Sequence, residues 1–424
     1  MMCTRKKYDS KKKDMSTRIK YFVMIGWMLL GMAFQVMAQD YSISVSGVVR
    51  DSENGRRIAQ ASVGTPDGHV ATVTNADGRF TLKLPRGSKS IVISCLGYRS
   101  AHVNLDDDLS KEIKVRLVPS SITLSELIVS NMNPYEIVEA AVQKIKTNNS
   151  RNNELLRCFY RETTQKGRRF IYVAEAVTDL YKAGYDRLTA VDRVAIEKGR
   201  KLVSVRPTDT LGAKIQGGPT LPVMLDMVKN RDLLINKDEL ALYHLQMEPP
   251  QSIDDRSQLV ISFSPAYITD HVLYHGKMYI DRQTLAFTRF EMSLDMSDEE
   301  RATAFILLRK PLGVRFRPKE LSITVAYRYD NGVSRMHYLH SDVRFYCEWR
   351  RKLFASPYHV EAEMVVTDLV SEDAEPIRGR DSFNYHDSFF DKVQYFTDPD
   401  FWEAYNIIEP SESLEHAIGK LRKK

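Results

Sequence analysis

Length, composition and charge limit what this chain can be. It has 424 residues and a formal net charge of +6, but residues 1–38 hold eight Lys and Arg against two Asp, which accounts for all of that charge and leaves 53 residues of each sign in the remainder. A balanced chain of this length can bury a core without disulfides, and its net charge gives no argument for binding nucleic acid or an anionic membrane surface.

The N-terminal segment has the pattern of a secretory signal peptide. Tyr21–Ala38 is an apolar run behind two basic residues, and its end, Val36-Met-Ala38, is a small-residue cleavage site. We therefore predict a signal peptide over residues 1–38, a mature chain that begins at Gln39, and a periplasmic or outer-membrane-associated protein. Met15 is an alternative start, and an uncleaved anchor is the alternative interpretation. No later stretch approaches the ~20 apolar residues of a spanning helix, so no transmembrane segment is expected after signal removal.

Three cysteines remain in the predicted mature chain, Cys95, Cys158 and Cys347. An odd number leaves one thiol free in any disulfide scheme, and no pair has the spacing of metal ligands. We expect no disulfide framework.

Six short runs rich in β-branched and aromatic residues come next, each bounded by turn residues. In Arg79–Leu84, apolar and polar residues alternate, which indicates a half-buried strand. Asn75-Ala-Asp-Gly78 precedes it, and Gly78 can adopt the positive φ that closes a hairpin. The pattern predicts a small antiparallel β-sandwich over residues 40–118. Its expected strands are Val45–Arg50, Ala61–Val63, His69–Thr74, Arg79–Leu84, Ile91–Tyr98 and Ile113–Leu117.

The same stretch resembles the carboxypeptidase-regulatory-like domain, a transthyretin-like sandwich. The matching features, in order, are Ser46-Gly-Val-Val49, Ala61-Ser-Val63, Thr72–Phe80 and Leu96-Gly-Tyr98, with Asn75 where many members carry Asp. The resemblance covers residues 43–118 and implies the sandwich fold and a secreted, Bacteroidetes-type cell-envelope protein. It does not imply peptidase activity, because in the carboxypeptidases this domain accompanies a separate catalytic one.

A linker is expected at residues 119–132, followed by an amphipathic helix at Pro134–Lys146. Asn133 suits the N-cap, and Pro134 suits the first helical position. The apolar residues of this helix recur on one face, which we expect to pack on a sheet. They are Ile137, Val138, Ala141, Val142 and Ile145.

After the helix β signals dominate, and residues 133–424 are predicted to form an α+β domain with a large antiparallel sheet. Lys166-Gly167 and Asp330-Asn-Gly332 are expected hairpin turns. Helices are expected at Val223–Lys229 and Ser411–Leu421. The predicted strands are Leu156–Thr163, Phe170–Val177, Leu259–Phe263, His275–Ile280, Ala286–Leu294, Leu321–Tyr329, Ser334–His340, Val343–Tyr346 and His359–Leu369.

One hairpin of this region, Gly276–Asp281 with Thr284–Phe290, resembles hairpins of the lipoprotein-carrier (LolA-like) proteins. In that family such hairpins recur along an open, lipid-facing half-barrel. Three short helices can cover only part of a long, curved sheet, so we expect an apolar cleft beside the Pro134–Lys146 helix.

The sequence carries no motif that assigns a reaction. None of the ten His begins the His-x-x-Glu pair of a zinc carboxypeptidase, and the Gly-x-Ser-x-Gly, P-loop and Gly-x-Gly-x-x-Gly motifs are absent. On a strand, two residues three apart point to opposite faces and two residues two apart share one. No catalytic, cofactor-binding or metal residue, and no cofactor, is therefore assigned. The remaining candidates, each more simply a surface or core polar group, are His271 with His275, His337 with His340, Glu361 with Glu363, and Asp106-Asp-Asp108.

These features together predict a mainly β, two-domain, secreted protein. We expect binding or assembly in the cell envelope without catalysis, with a protein, glycan or lipid as the unidentified partner and no nucleic acid. Two alternatives stay open: a hydrolase with a site in the second domain, and a carrier of an apolar ligand. A pocket where polar and titratable side chains converge would separate a binding protein from an enzyme.

Overall fold

The fold is given by a computed structural model. The predicted signal peptide 1–38, Asp106-Asp-Asp108 and most of the predicted linker 119–132 lie outside the residues that it describes. Contacts group the described parts of Ser44–Lys83 and Ser88–Lys424 into one compact unit. Of the remaining described residues, 42–43 open the first strand, 84–85 end the fourth strand, and 86–87 follow it. The described residues are 42–105, 111–120, 132–206, 209, 214–350, 353–384, 386–387, 389–395, 401–402 and 405–422.

Two small sheets form the predicted N-terminal sandwich. The pairs of the second sheet are antiparallel, but β1 and β7 are parallel, so the sandwich is not wholly antiparallel as the sequence suggested. The chain crosses the second sheet before it returns beside β1, and a crossover of that kind allows parallel pairing. The sheet orders are β4 (Arg79–Pro85), β1 (Ser42–Asp51), β7 (Ile113–Leu117), and β3 (Ala71–Val73), β2 (Ser62–Gly64), β5 (Ser90–Ser94), β6 (Ala101–Asn104).

The core of the sandwich follows the alternation of β4. Phe80 and Leu82 are fully buried, and the predicted turn before them is closed by Gly78 at φ 68°. Gly47 on β1 lies so close to the Phe80 ring that a Cβ would be 2.6 Å from its carbons. Any larger residue at position 47 would therefore push the two strands apart.

The predicted helix after the linker is confirmed as α1 (Pro134–Asn148). The Asn133 side chain accepts a hydrogen bond of 3.1 Å from the Tyr135 N–H, as an N-cap should. The Tyr135 hydroxyl donates to the carbonyl of Tyr243 at 2.7 Å, which ties the helix to the first strand of the large sheet. The buried stripe of the helix is Ile137, Val138, Ala141 and Ile145, with Val142 partly buried beside it.

An eleven-stranded sheet makes up most of the rest of the chain. Its first ten strands are antiparallel, and the last pairs parallel with its neighbour. A separate ladder joins β11 (Lys214–Ile215) to β16 (Leu307–Arg309). The spatial order is β12 (Tyr243–Ile253), β13 (Arg256–Pro265), β14 (Tyr274–Asp281), β15 (Phe287–Leu294), β17 (Val314–Asp330), β18 (Val333–Trp349), β19 (Ser356–Ser371), β8 (Glu154–Lys166), β9 (Arg169–Lys182), β10 (Arg193–Val203) and β20 (Gln394–Tyr395).

Both predicted hairpin turns are present, and one predicted helix is wrong. Asn331 and Gly332 have φ of 50° and 85°, as a two-residue hairpin turn requires. The helix expected at Val223–Lys229 ends at Met224, because the Asp226 carboxylate accepts the next backbone N–H groups and folds them into a turn. The helices after α1 are α2 (Leu221–Met224), α3 (Lys237–Leu240), α4 (Glu299–Ile306), α5 (Phe389–Lys392) and α6 (Glu412–Arg422). Within the described residues, none is long and apolar enough to span a bilayer.

The large sheet has two different faces. Its apolar face carries the main hydrophobic core and is covered by α1, by the segment with α2 and α3, and by α4. Its polar face packs against the sandwich and against the C-terminal segment, residues 401–402 and 405–411. There Val70 bridges to Asp368, and Thr72 donates to the carbonyl of Ile407 at 2.9 Å. Trp402 packs edge-on to Phe159 with ring centroids 5.6 Å apart.

Candidate functional site

A cleft of about 390 Å³ opens in the apolar face, but not beside α1 as the sequence suggested, because none of its described lining residues belongs to α1. Its floor is formed by β8, β9 and β19, and its walls come from the end of β10, from the β11–β16 ladder and from α5. Most of the lining is apolar. The apolar and aromatic lining residues are Ile171, Tyr172, Val203, Ile215, Leu308, Val360, Phe389 and Phe390.

Glu162 is the titratable residue of the cleft floor. Alternation along β8 puts it on the same face as the buried Cys158 and Tyr160. Its carboxylate accepts a hydrogen bond of 3.0 Å from the Tyr160 hydroxyl and has no basic partner among the described residues. Burial raises the pKa of Glu162 to about 7, and the bond from Tyr160 opposes only part of that rise. The carboxyl group can therefore be neutral or charged near neutral pH.

Tyr172 lies diagonally across from Glu162, because β9 pairs Tyr172 with Thr164 and Ala174 with Glu162. Its ring packs at a tilt against Phe390 with centroids 5.9 Å apart. Its hydroxyl oxygen is buried and has no hydrogen-bond partner among the described residues. An unsatisfied buried hydroxyl costs about 1–3 kcal/mol, so a ligand that bonds to it would recover that free energy.

The other carboxylates of the cleft already have cations. Asp209 pairs with Arg169, Asp391 lies 3.4 Å from Lys214, and Asp387 lies 3.2 Å from Lys392. Glu162 is thus the lining carboxyl group that stays available to a ligand. Four acidic lining residues against one basic lining residue also make the cleft unfavourable for an anion.

A second polar group lies on the other face of the sheet. Glu361 and Glu363 share that face, as the sequence predicted, and His340 on the neighbouring strand joins them. His340 Nε2 lies 3.0 Å from Glu361 Oε1, and one ligand atom from each of the three residues falls within 4.8 Å of the others. One nitrogen and two carboxylates could hold a divalent cation such as Zn²⁺.

The same residues also belong to a ladder of cross-strand pairs. Glu363 lies 3.8 Å from Arg161 and accepts a bond of 3.4 Å from Tyr338, while Asp342 lies 2.7 Å from His359. Burial would lower the pKa of His340, but the bond to Glu361 outweighs it and the pKa is raised. Ion pairing therefore explains this group without a metal.

The remaining sequence candidates do not converge on a site. His271 is exposed in the loop before β14 and lies 3.2 Å from Glu239, and His275 is exposed on that strand. His337 is the extra residue of a bulge in the β17–β18 pairing and is buried 2.9 Å from Ser62 Oγ, and burial lowers its pKa to about 3. The thiols of Cys95, Cys158 and Cys347 are free, and burial raises the pKa of each.

Comparison with known proteins assigns the sandwich. Residues 45–129 match the CarboxypepD_reg-like domain, so the N-terminal sandwich is a domain of that type, as its motifs indicated. No curated protein matches the chain.

Three solved structures match parts of this chain at low similarity. A DUF1329 family protein from Desulfovibrio piger is 10% identical over 57% of this chain and 96% of its own, with a TM-score of 0.26. A LolA superfamily protein from Nitrosomonas europaea is 14% identical over 55% of this chain and 94% of its own, with a TM-score of 0.19. A protein of unknown function from Bacteroides fragilis is 8% identical over 78% and 99%, with a TM-score of 0.15. TM-scores of this size do not establish a shared fold.

Glu162 and Tyr172 were not candidates in the sequence. The available signal was local: Glu162 and Thr164 continue the apolar face of a strand whose preceding residues on that face, Cys158 and Tyr160, are buried hydrophobes. A polar residue on a core-facing position needs a partner, and that need marks a site. The neighbour that makes it a site, Tyr172, is known only from the register of the hairpin.

Proposed function

We propose that the protein is a non-catalytic binding protein of the cell envelope that holds a small amphipathic ligand in the cleft of the apolar face. One observation carries this: a mainly apolar cleft whose floor holds the Glu162 carboxyl, which has no cation among the described residues, and the Tyr172 hydroxyl, which has no hydrogen-bond partner among them. The volume, about 390 Å³, falls in the roughly 300–1,000 Å³ range of small-molecule sites.

The lining defines the chemistry of the ligand. Its body is apolar, to fit against Ile215, Leu308 and Phe389. Its head is an alcohol or an amine, because the Tyr172 O–H can donate and the Glu162 carboxyl can accept when charged or donate when protonated. A carboxylate or phosphate head is disfavoured, because Glu162 has no cation to compensate a second negative charge.

The cellular location and the domain boundaries are also proposals. The charged, apolar and small-residue order of residues 1–38 supports export by a cleaved signal peptide, with Gln39 as the mature N-terminus. The type of the 45–129 domain supports a periplasmic or outer-membrane-associated protein of Bacteroidetes type. The proposed boundaries are 40–118 for the sandwich, 119–132 for the linker and 133–424 for the α+β domain.

Displacement of a neutral dye tests the binding function. Nile red should bind the purified protein saturably, and dodecylamine and dodecanol should displace it better than dodecanoate at pH 8. Tyr172→Phe should weaken dodecanol binding about tenfold, the effect of one lost hydrogen bond, without lowering the melting temperature. Tyr267→Phe, an exposed tyrosine outside the cleft, is the matched control. Non-saturable dye binding, or displacement unchanged in both Tyr172→Phe and the cleft-filling Leu308→Trp, would contradict the proposal.

An enzyme is the second candidate, and the pKa of Glu162 favours it. A carboxyl group that titrates near pH 7 in a cleft is suited to general acid–base catalysis. The described lining holds no His or Cys, and the hydroxyl of its Ser204 donates to Asp209 at 2.6 Å, so hydrolysis would use Glu162 to activate water. Release of p-nitrophenol from p-nitrophenyl esters, lost in Glu162→Gln while Nile red still binds, would establish this alternative.

A further inference from the structure

One end of the large sheet exposes three large apolar side chains. Leu312 lies between β16 and β17, and Leu353 and Phe354 lie between β18 and β19. They are 104%, 96% and 83% exposed, so their side chains protrude into solvent. Soluble proteins rarely leave such a group in water unless it binds something. These three residues are called the apolar end.

The two loops of the apolar end are in contact. The Arg350 N–H donates to the Gly313 carbonyl at 3.1 Å, and Leu353 borders the same concavity as Gly313. The apolar end thus consists of the β16–β17 and β18–β19 loops, which lie beside the paired ends of β17 and β18 at Val314 and Trp349.

Cations surround the apolar end. Lys310, Arg315 and Arg350 are all exposed on its two loops or directly beside them. Of the acidic residues nearby, Glu348 is paired with Arg317 at 2.9 Å, and Glu299 lies 4.0 Å from Arg315 and 3.9 Å from Arg317. Lys310 and Arg350 have no acidic partner among the described residues, so a local excess of positive charge lies next to the exposed apolar side chains.

We propose that the apolar end docks on the surface of an anionic lipid bilayer. Protruding Leu and Phe side chains can enter the boundary between headgroups and acyl chains, while Lys and Arg meet the lipid phosphates. Convex loops of this kind penetrate a fluid surface more readily than they complement a rigid one. The combination of full exposure, apolar character and a basic border identifies the bilayer as the occupant.

The chain connects the apolar end directly to one wall of the cleft. Docking at the apolar end does not require a ligand in the cleft. Leu308 lines the cleft on β16, which pairs with β11, and the chain then runs directly into the loop that holds Leu312. Docking at this end would bring the β11–β16 wall of the cleft towards the lipid surface. The inference goes beyond the proposed ligand binding and can be tested separately.

Sedimentation with vesicles tests the docking. The purified protein should bind vesicles of phosphatidylcholine with one quarter phosphatidylglycerol, and high salt should weaken that binding. The triple variant Leu312→Ser, Leu353→Ser, Phe354→Ser should reduce partitioning at least about tenfold. Lys310→Ser with Arg350→Ser should reduce it about tenfold on anionic vesicles and little on pure phosphatidylcholine. The matched control, Leu188→Ser, Val191→Ser, Val370→Ser, removes exposed apolar side chains at the opposite end of the sheet.

Three results would overturn the proposal. The first is a wild-type protein that binds neither kind of vesicle, and the second is equal partitioning of the triple variant and the wild type. The third is a wild-type oligomer that the triple variant dissociates, which would assign the surface to a second copy of the chain. Glu162→Gln should bind vesicles like the wild type, so a failure of ligand binding and a failure of docking can be distinguished.

Discussion

The two faces of the large sheet are built from the same alternating strands but are stabilised differently. On the apolar face, side chains such as Ile261, Phe290 and Val325 form one continuous core. On the polar face, Arg161 and Glu175 are buried and paired at 2.8 Å, and Glu175 also accepts bonds from Arg200 and Trp402. Charged side chains such as Arg161 and Glu175 can be buried on the polar face because each has an ionic or hydrogen-bond partner. The apolar face is stabilised instead by the elements that cover it and exclude water.

This difference explains where the cleft lies. Five helices, three of them with four residues each, α4 with eight and α1 with fifteen, cannot cover an apolar face of this width. The sandwich and the C-terminal segment lie on the polar face instead. The apolar face therefore keeps an uncovered region, and a ligand can complete it.

The apolar face also contains buried charged side chains, and those around Lys182 follow the rule of the polar face. Lys182 lies 2.5 Å from Asp192 and from Asp226, and Asp226 also accepts bonds from the hydroxyls of Tyr185 and Tyr327. All of these charges are compensated. Glu162 differs from them because it has a hydrogen bond but no cation.

The largest expected effect comes from placing a charge in the apolar face. Ile137→Asp puts a carboxylate without a partner against the core that α1 covers, so the free energy of unfolding should fall by about 4 kcal/mol or more. Urea denaturation measures this. Glu139→Asp introduces the same residue at an exposed position of the same helix and should change stability by less than about 1 kcal/mol. An unchanged melting temperature for Ile137→Asp would show that α1 is not part of the core.

Removing one charge from the polar face should lower the free energy of unfolding somewhat less than Ile137→Asp does. Arg161→Met leaves the buried Glu175 with Arg200 and Trp402 only, and we expect a loss of about 3 kcal/mol at neutral pH. Burial would raise the pKa of Glu175, but Arg161 and Arg200 hold it below its usual range. The stabilisation that ionised Glu175 gives is present above its unfolded-state pKa and is lost as the pH falls through its folded-state pKa. The difference in the free energy of unfolding between wild type and Arg161→Met should therefore become smaller in acid. Arg344→Met, exposed on the same face, is the control, and a constant gap would exclude Glu175 as the cause.

Glu162 in the cleft should give the opposite pH dependence of stability. The pKa of Glu162 rises from 4.5 to about 7 on folding, so the folded protein binds the proton more tightly. Stability should therefore be lost as the pH rises from about 5 through 7, by up to about 3 kcal/mol, because ionised Glu162 has no cation. Glu162→Gln should remove this loss and be more stable than the wild type at pH 8. Exposed Glu320→Gln should follow the wild-type curve, and parallel pH profiles for all three proteins would show that Glu162 is solvated.

The smallest expected effect is at the His340–Glu361 pair. Because the pKa of His340 is raised, its contribution is complete below the unfolded-state pKa and is lost as the pH rises through the folded-state value. His340→Gln should cost about 1 kcal/mol at pH 5 and almost nothing at pH 9, since the pair is partly solvated. Thermal melts at the two pH values measure this. A metal role predicts something else: Zn²⁺ would raise the wild-type melting temperature and leave that of His340→Gln unchanged.

Much of the fold could be predicted because its signals are local. The Asn133 cap, the apolar stripe of α1, the Asn331-Gly332 turn and the alternation of β4 each depend on a few neighbouring residues. The longer elements that were missed are β10, β12 and α4, and the short elements β6, β11, β16, β20, α3 and α5 were missed as well. The strand β12 contains two prolines, Pro249 and Pro250, next to a break in its pairing with β13, and it lies at the sheet edge, where prolines are tolerated.

The sequence by itself determined that the protein has a carboxypeptidase-regulatory-like sandwich and a large antiparallel sheet, and which residues of each strand share a face. Only the tertiary structure decided which faces meet. The alternation along a strand shows which face of the sheet a residue lies on, but not which residue is its neighbour on the next strand. Register and strand order therefore decide which residues come close together. The pairs brought together in this way are Glu162 and Tyr172, His340 and Glu361, and Leu312 and Leu353. Register is set by packing across the whole sheet, and no short stretch of sequence contains that information.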